Sequence, residues 1–391
     1  MNQDFKPTQN EGRLIDRINE FNNNEFALIR MTETMLDKST IDASDLIRII
    51  LRKYNVVDYR EVTPGGEKIY KKALIVLDDI HEKTVSYYRP KTKKGDPRFW
   101  VYKLQTLVDV NTLIYFTIFE DNLIVIPLVK NEKLEENLKK IFPKVIDQSA
   151  TLLLLKAQLF KIKEIGWIKS VSGMYNAPKD VGETLENFIG IPINNLKTPD
   201  FLGKIELKSK REEAGTMDSL FSKVPDWDIS KYKSVYDIVD KFGYINDGDV
   251  KKRLYNDIKS SPNAQGLYLS PDDEKAILFQ KYSKDENEDD VCAWKYETVK
   301  NNLETKHPTT LWVGAQEKII ENEYYFKYVS FELSSRPLFT QFITLIRRDK
   351  IIYDWKSKIK PMGKAVRNHG PGFRIKPNDK KLLFKSLIDF S

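Results

Sequence analysis

The 391-residue sequence predicts an α+β chain of two domains, residues 1–150 and residues 151–391. Three observations predict it. Apolar residues near the start recur at helical spacing and then give way to a series of short strand-like runs. A helical stretch from Glu132 to Ile165, broken at Pro143, separates that series from the second half of the chain. In that half, helical and strand periods appear again. With 41% hydrophobic residues, a chain of this length can bury a sizeable core and suits more than one domain.

Taken in order, residues 11–55 read as helices. Leu14, Ile18, Phe21 and Leu28 fall at helical spacing, and Ser44 suits a cap ahead of Asp45-Leu46-Ile47-Arg48-Ile49-Ile50. Pro64-Gly65-Gly66 is turn chemistry, and strands are expected at Lys68–Tyr70, Ala73–Leu77, Thr84–Tyr88, Phe99–Leu104, Thr112–Phe119 and Leu123–Leu128. The Glu120-Asp121-Asn122 link between the last two suits a hairpin. Within this module, five cations occupy the ten positions from Arg89 to Arg98: Arg89, Lys91, Lys93, Lys94 and Arg98. With Tyr88, Phe99 and Trp100 alongside, the segment reads either as a phosphate-contacting loop with stacking side chains or as a solvated basic turn.

The run from Glu132 to Ile165 carries Leu134, Leu138, Ile141, Leu152–Leu155 and Leu159 at helical spacing, so it is expected to dock rather than to swing as a tether. Gly182 to Gly190 then reads as a helix with Leu185, Phe188 and Ile189 on one face and Gly190 as its C-cap. Asn194 to Pro199 is a turn. Later strands are expected at Ala276–Phe279, Thr310–Val313, Tyr324–Val329 and Lys350–Trp355, with Lys284–Asp290 as an acidic loop tip.

Composition limits the function classes. The net charge of +7 and pI near 8.9 are compatible with a polyanionic partner. Cys292 is the single cysteine, which excludes an intrachain disulfide and a cysteine-rich zinc site. His81, His307 and His369 lie far apart and form no metal-binding pattern. No apolar run is long enough to span a bilayer and the start is polar, so a soluble, cytoplasmic protein is expected.

The stretch with chemistry in it is Pro199-Asp200-Phe201-Leu202-Gly203-Lys204-Ile205-Glu206-Leu207-Lys208. Read as a turn and then a strand, it puts Glu206 and Lys208 on one face and Ile205 and Leu207 on the other. Asp200 adds a second carboxylate from the turn. Two acids and an ammonium so placed suit a metal-dependent phosphodiesterase; an amphipathic strand with a surface ion pair accommodates the same ten residues.

Five phrases in order decide between these. They are Gly182-x-Thr184-Leu185-Glu186, Asn194-Asn195-Leu196-x-x-Pro199-Asp200-Phe201, Ile205-Glu206-Leu207-Lys208, Ser219-Leu220-Phe221-Ser222, and Asn368-His369-Gly370-Pro371-Gly372-Phe373-Arg374-Ile375. Together, from about Gly166 to Ile375, they resemble the MvaI/BcnI family of type II restriction endonucleases, relatives of MutH among the PD-(D/E)xK nucleases. The resemblance implies an α/β nuclease domain with a mixed central sheet and a Mg²⁺-dependent, sequence-specific cut in double-stranded DNA. It implies Asp200, Glu206 and the Leu207 carbonyl as metal ligands, since Mg²⁺ takes hard oxygen donors. Lys208 would orient or help deprotonate the attacking water. Glu186 resembles an additional helix glutamate of the MutH relatives that holds a water on the metal; an exposed helix carboxylate is the other reading.

From Arg347 to Ser391 the sequence holds 13 Lys/Arg and 4 Asp/Glu, a basic strip suited to DNA. Within it the resemblance implies base reading by Asp354, Lys356, Arg367, Asn368, His369 and Arg374. Lys358, Lys360 and Lys364 read equally as phosphate contacts or as a solvated face. The first domain faintly resembles the amino-terminal effector domain of EcoRII-type enzymes. That implies a β-barrel-like module binding a second DNA copy through Arg89, Lys91, Lys93, Lys94 and Arg98, as in a type IIE enzyme. A CC(A/T)GG-like target, a monomeric enzyme and a cognate DNA methyltransferase complete the expectation. A MutH-like nicking repair endonuclease and a non-catalytic DNA-binding regulator are the alternatives.

Overall fold

The computed structural model describes residues 6–142, 150–171, 179–191, 199–212, 217–247, 251–284, 287–360, 363–368 and 370–389, with 287, 360, 363–368 and 386–389 described by backbone alone. The chain opens with helix α1 (Gln9–Asn19), strand β1 (Phe26–Arg30), helix α2 (Glu33–Asp37), strand β2 (Ile41–Asp42) and helix α3 (Asp45–Lys53). Strands β3 (Ile69–Val76), β4 (Ile80–Tyr88), β5 (Arg98–Val101), β6 (Leu113–Phe119) and β7 (Asn122–Pro127) precede helices α4 (Leu134–Ile141) and α5 (Ala150–Ile165). Next come β8 (Trp167–Lys169), α6 (Asp180–Ile189), β9 (Glu206–Arg211), β10 (Asp218–Ser222), α7 (Val235–Phe242) and β11 (Lys252–Ile258). The chain continues with β12 (Leu267–Asp272), β13 (Ile277–Lys284), β14 (Asn287–Lys295), α8 (Tyr296–Lys306), β15 (Thr310–Ile320) and β16 (Glu323–Ser334). It ends with α9 (Phe339–Arg347), β17 (Ile351–Lys360), β18 (Gly363–Asn368), β19 (Gly372–Ile375), α10 (Lys380–Leu383) and β20 (Ser386–Asp389).

The chain divides into two compact units, and neither is continuous in sequence. One comprises residues 1–144, 222–299 and 338–373; the other comprises 145–221, 300–337 and 374–391. The expected division at a single point, residue 150, does not describe these units. A long-range capping interaction supplies part of the reason. Every residue of α9 is buried, and its first turn is capped by Glu25, which lies far away in sequence. The Glu25 carboxylate accepts from Phe339 N (3.2 Å), Thr340 N (2.9 Å) and the Thr340 hydroxyl (2.8 Å). A carboxylate at a helix N-terminus satisfies otherwise orphaned donors and complements the helix dipole. Arg348, just past α9, pairs with Asp16 of α1 through two contacts of 2.7 and 2.8 Å.

In the first unit a seven-stranded sheet runs in the order β1-β6-β7-β3-β4-β5-β2. The barrel-like module expected from the sequence is corrected by this order. Among the described residues β1 and β2 end the sheet without pairing to each other, and β2, with two residues, is too short to carry a closure. The segment Phe26–Arg30, expected within a helical run, is strand β1 paired antiparallel with β6. Leu28 matched a helical spacing by coincidence, because its real neighbours are across the sheet. The hairpin joining β6 and β7 is as expected, with Glu120 and Asp121 at φ 47° and 62° as a tight primed turn demands. Ser44 caps α3 by accepting from Ile47 N. The acidic tip expected over Lys284–Asp290 falls largely in strands instead, since β14 begins at Asn287 and pairs with β13.

The second unit is built on the sheet β20-β16-β15-β9, with β8 also pairing β16. It is mixed, as expected: β9 runs parallel to β15, whereas β16 is antiparallel to β15. Leu207, Leu311, Val313, Phe326 and Tyr328 face a core closed by Leu152, Leu155, Leu159 and Ile162 of α5 and by Val181 and Leu185 of α6. Helix α6 ends on Gly190, whose φ of 84° is the left-handed conformation a glycine C-cap adopts without strain. Of the turn expected at Asn194–Pro199, all but Pro199 lies outside the described residues.

Candidate active site

Strand β9 is an edge strand among the described residues, and its residue alternation builds the site. Leu207 is buried in the core while Glu206 and Lys208 turn to the opposite face. Lys208 Nζ donates to Glu206 Oε1 at 2.6 Å, with the lysine 40% and the glutamate 17% exposed. Backbone groups alternate as well. Glu206 N donates to Thr309 O and Glu212 N to Ala315 O, so even-numbered residues of β9 bond towards β15. Leu207 therefore directs its N–H and its carbonyl to the free edge. There its N–H meets Asp200, whose Oδ2 accepts at 2.9 Å. Asp200 is held by the tight turn just after it, in which Leu202 and Gly203 have φ of 52° and 66° and Phe201 bridges Ile205.

Glu186, on α6, belongs to the same cluster. Burial raises its carboxyl pKa, and the negative charges of Asp200, Glu183 and Glu206 raise it further, against a lowering by Lys208. The helix that carries it is fixed at its start. Ser170 Oγ hydrogen-bonds both oxygens of the fully buried Asp180 at 2.7 Å, and Tyr328 OH donates to Val181 O at 2.8 Å. Glu186 thus feels the charges of Asp200, Glu206 and Lys208 together, two acids and one ammonium. That surplus of negative charge, together with an outward backbone carbonyl at Leu207, is the hard-oxygen donor chemistry a divalent cation requires. Among the described residues no three acidic or histidine side chains close on one point. Glu206 is turned onto Lys208 and Asp200 onto the Leu207 N–H.

The sequence-predicted residues outside this cluster fare differently. Asp354 and Lys356 do share a face of β17, as alternation requires, and pair at 3.2 Å, but Asp354 is buried. Arg374 lies in β19 and is half-buried. Arg367 and Asn368 are placed as backbone in β18 opposite Lys358 and Ser357, and His369 lies outside the described residues.

In the basic segment, Arg89 is a structural clamp. Its Nε donates to Gly95 O at 2.6 Å and its Nη1 to Val62 O at 3.3 Å. Arg98 pairs with Asp42 at 2.9 Å. Phe99 and Trp100, expected as stacking side chains, are buried, because in β5 they pack into the sheet. Lys91, Lys93 and Lys94 remain exposed.

His307 is buried against Trp312 and Phe384, and its Nε2 lies 2.7 Å from Leu220 O. Burial lowers its pKa to about 4, so the ring is neutral at physiological pH. Sequence reasoning missed Lys380, which sits 4.1 Å over the Trp312 ring. Its partner is remote in sequence, and no local pattern marks it.

The model of the MvaI/BcnI restriction endonuclease family matches residues 156–384. No curated protein matches the chain. Among solved structures, the MvaI restriction endonuclease in complex with its cognate DNA is 21% identical, with a TM-score of 0.49 over 62% of this chain and all of that one. MvaI in the absence of DNA is 19% identical, with a TM-score of 0.44 over 63% of this chain and all of that one. With more than half of its length matched by that family's model, the chain belongs to the MvaI/BcnI restriction endonuclease family and is a type II site-specific deoxyribonuclease.

Proposed function

We propose that this endonuclease cuts both strands of a short CC(A/T)GG-like target with Mg²⁺, from the cluster formed by Glu186, Asp200, Glu206 and Lys208. What supports the reading is the Glu206–Lys208 pair at the edge of β9, with Asp200 on the Leu207 N–H and Glu186 within electrostatic reach of all three, and family membership supplies the reaction. Asp200, Glu206 and the Leu207 carbonyl would hold the metal ion, which when bound neutralises charge on the scissile phosphate and acidifies water. Lys208, released from Glu206, orients the attacking water and offsets the charge of the pentavalent phosphorus. Glu186 hydrogen-bonds that water from α6.

Base reading is assigned to Asp354, Lys356, Arg367, Asn368, His369 and Arg374, which offer the donors and acceptors that distinguish G·C pairs. Asp354 would have to exchange Lys356 for cytosine N4. A second DNA copy would meet Arg89, Lys91, Lys93, Lys94 and Arg98, making the enzyme type IIE; the three lysines are exposed, whereas Arg89 and Arg98 would have to give up bonds to Gly95 O and Asp42. The enzyme acts as a monomer in the cytoplasm, beside a methyltransferase that protects the same target.

The test is digestion of a mixed-sequence DNA with Mg²⁺, with the fragment ends then sequenced. Discrete fragments with one shared end sequence are expected. A supercoiled plasmid that stops at the open circle under excess enzyme would instead identify a nicking enzyme.

A further inference from the structure

Burial lowers the pKa of the Lys380 ammonium. Its ammonium makes no ion pair and no hydrogen bond among the described residues, although its carbonyl accepts from Phe384 N. What holds it is the Trp312 ring, 4.1 Å from its ammonium. The indole is fixed on three sides: Nε1 donates to Ser334 Oγ at 2.8 Å, His307 stacks at 5.9 Å, and Phe384 meets it edge-on at 4.8 Å. His307 is neutral there, so it places no second cation against the indole.

The position of Trp312 gives the lysine its meaning. In the parallel pair β9–β15, Trp312 is the register partner of Lys208, and Thr310 that of Glu206. Register partners in a sheet project from the same face. Lys380 therefore lies on the Glu206–Lys208 face of the sheet, one strand further in. Lys210, also on that face, pairs with Asp218 at 3.0 Å. Asp218 and Glu332 both act on Lys380 electrostatically, without closing an ion pair.

A lysine on a surface ordinarily reaches into water or takes a carboxylate. Here the chain holds a half-buried ammonium on a rigid aromatic platform, beside the cleavage residues of an enzyme whose substrate is a polyanion. We propose that Lys380 is a phosphate-binding residue, which takes a backbone phosphate of the cut strand next to the scissile phosphodiester and positions that strand over Glu206 and Lys208. The proposal rests on the assignment of the cleavage centre to that face. It adds a contact that the acidic and lysine motif does not include.

Each phosphate neutralised by a protein cation releases counterions, so the slope of log K against log salt counts such contacts at about 0.9 per phosphate. The experiment measures binding of the full chain to a duplex bearing its own mapped cleavage site, in Ca²⁺, from 50 to 200 mM KCl as an order-of-magnitude range. Lys380→Met, which keeps an aliphatic stem over the indole, should reduce the slope by about 0.9 and weaken binding several-fold at the lowest salt. Lys380→Arg should restore the slope. A wild-type slope in Lys380→Met would overturn the proposal, whatever its folding or cleavage rate. Lys380→Gln, checked by circular dichroism, gives the same reading should the Met variant not fold. Lys208→Ala is measured beside them: if it still cuts, the cleavage centre is misassigned, and the Lys380 slope is then judged by itself.

Discussion

The stretches Asp200–Lys208 and Arg89–Arg98 are both dense in charge, and the fold treats them in opposite ways. In the first, strand alternation keeps Glu206 and Lys208 on the exposed face while Leu207 anchors the strand in the core. In the second, the two arginines are drawn inward, one to backbone carbonyls and one to Asp42, and Phe99 and Trp100 beside them are buried. A guanidinium offers five donors in a fixed fork and so suits holding a loop together, whereas the lysines of the same segment stay in water. Charge density by itself does not identify a binding surface. Charge in register with a buried partner strand is a better guide.

This contrast can be broken by substitution. The largest effect is expected at the cleavage cluster, where Glu206→Ala or Lys208→Ala should slow cleavage by about 10²–10⁴-fold. Both variants should still bind the target duplex in a filter or anisotropy assay. In the basic segment the sensitive residue should be Arg89, for structural reasons. Arg89→Ala removes donors from Gly95 and Val62 and should lower unfolding stability by about 2–3 kcal/mol in urea titrations. Lys93→Ala and Lys94→Ala should stay within about 0.5 kcal/mol of wild type. Stability loss at the lysines and none at Arg89 would reverse the comparison.

A long-range structural carboxylate offers a smaller effect. Glu25→Ala uncaps α9 and should cost about 1–2 kcal/mol, read in the same titration.

The smallest effect concerns Glu186. Its carboxyl pKa is raised in the folded chain, so its protonated form favours folding. That contribution is complete below the ordinary carboxyl value of 4.5 and is lost as pH rises through the folded value. Glu186→Gln cannot ionise. In metal-free buffer it should therefore melt above wild type at neutral pH, by on the order of 1 °C, and converge with it near or below pH 4. A difference that grows on acidification would contradict the sign.

The arrangement proposed as the cleavage cluster is legible in the sequence because its determinants are local. Glu206 and Lys208 obey the two-residue period of a strand, Asp200 sits in the turn before it, and Gly190 marks the end of the helix carrying Glu186. Ser44 and the Glu120-Asp121 hairpin were legible for the same reason. What escaped depends on contacts distant in sequence. Leu28 looked helical until β6 supplied its partner. No pattern near Glu25 announces that it caps α9, a contact that joins two segments of one unit lying far apart in sequence. Phe99 and Trp100 beside a basic run resembled stacking side chains, and only the sheet packing shows them as core. Lys380 is indistinguishable from other lysines of the basic strip until Trp312 is placed beneath it.

The assignment of the cleavage centre is tested most directly by single-turnover cleavage of one mapped duplex, with enzyme in excess and Mg²⁺ present, by wild type and by Lys208→Ala. Wild type should cut both strands, and Lys208→Ala should bind the duplex with similar affinity yet leave it intact over the same interval. Cleavage by Lys208→Ala at the wild-type rate would place the chemistry elsewhere in the molecule.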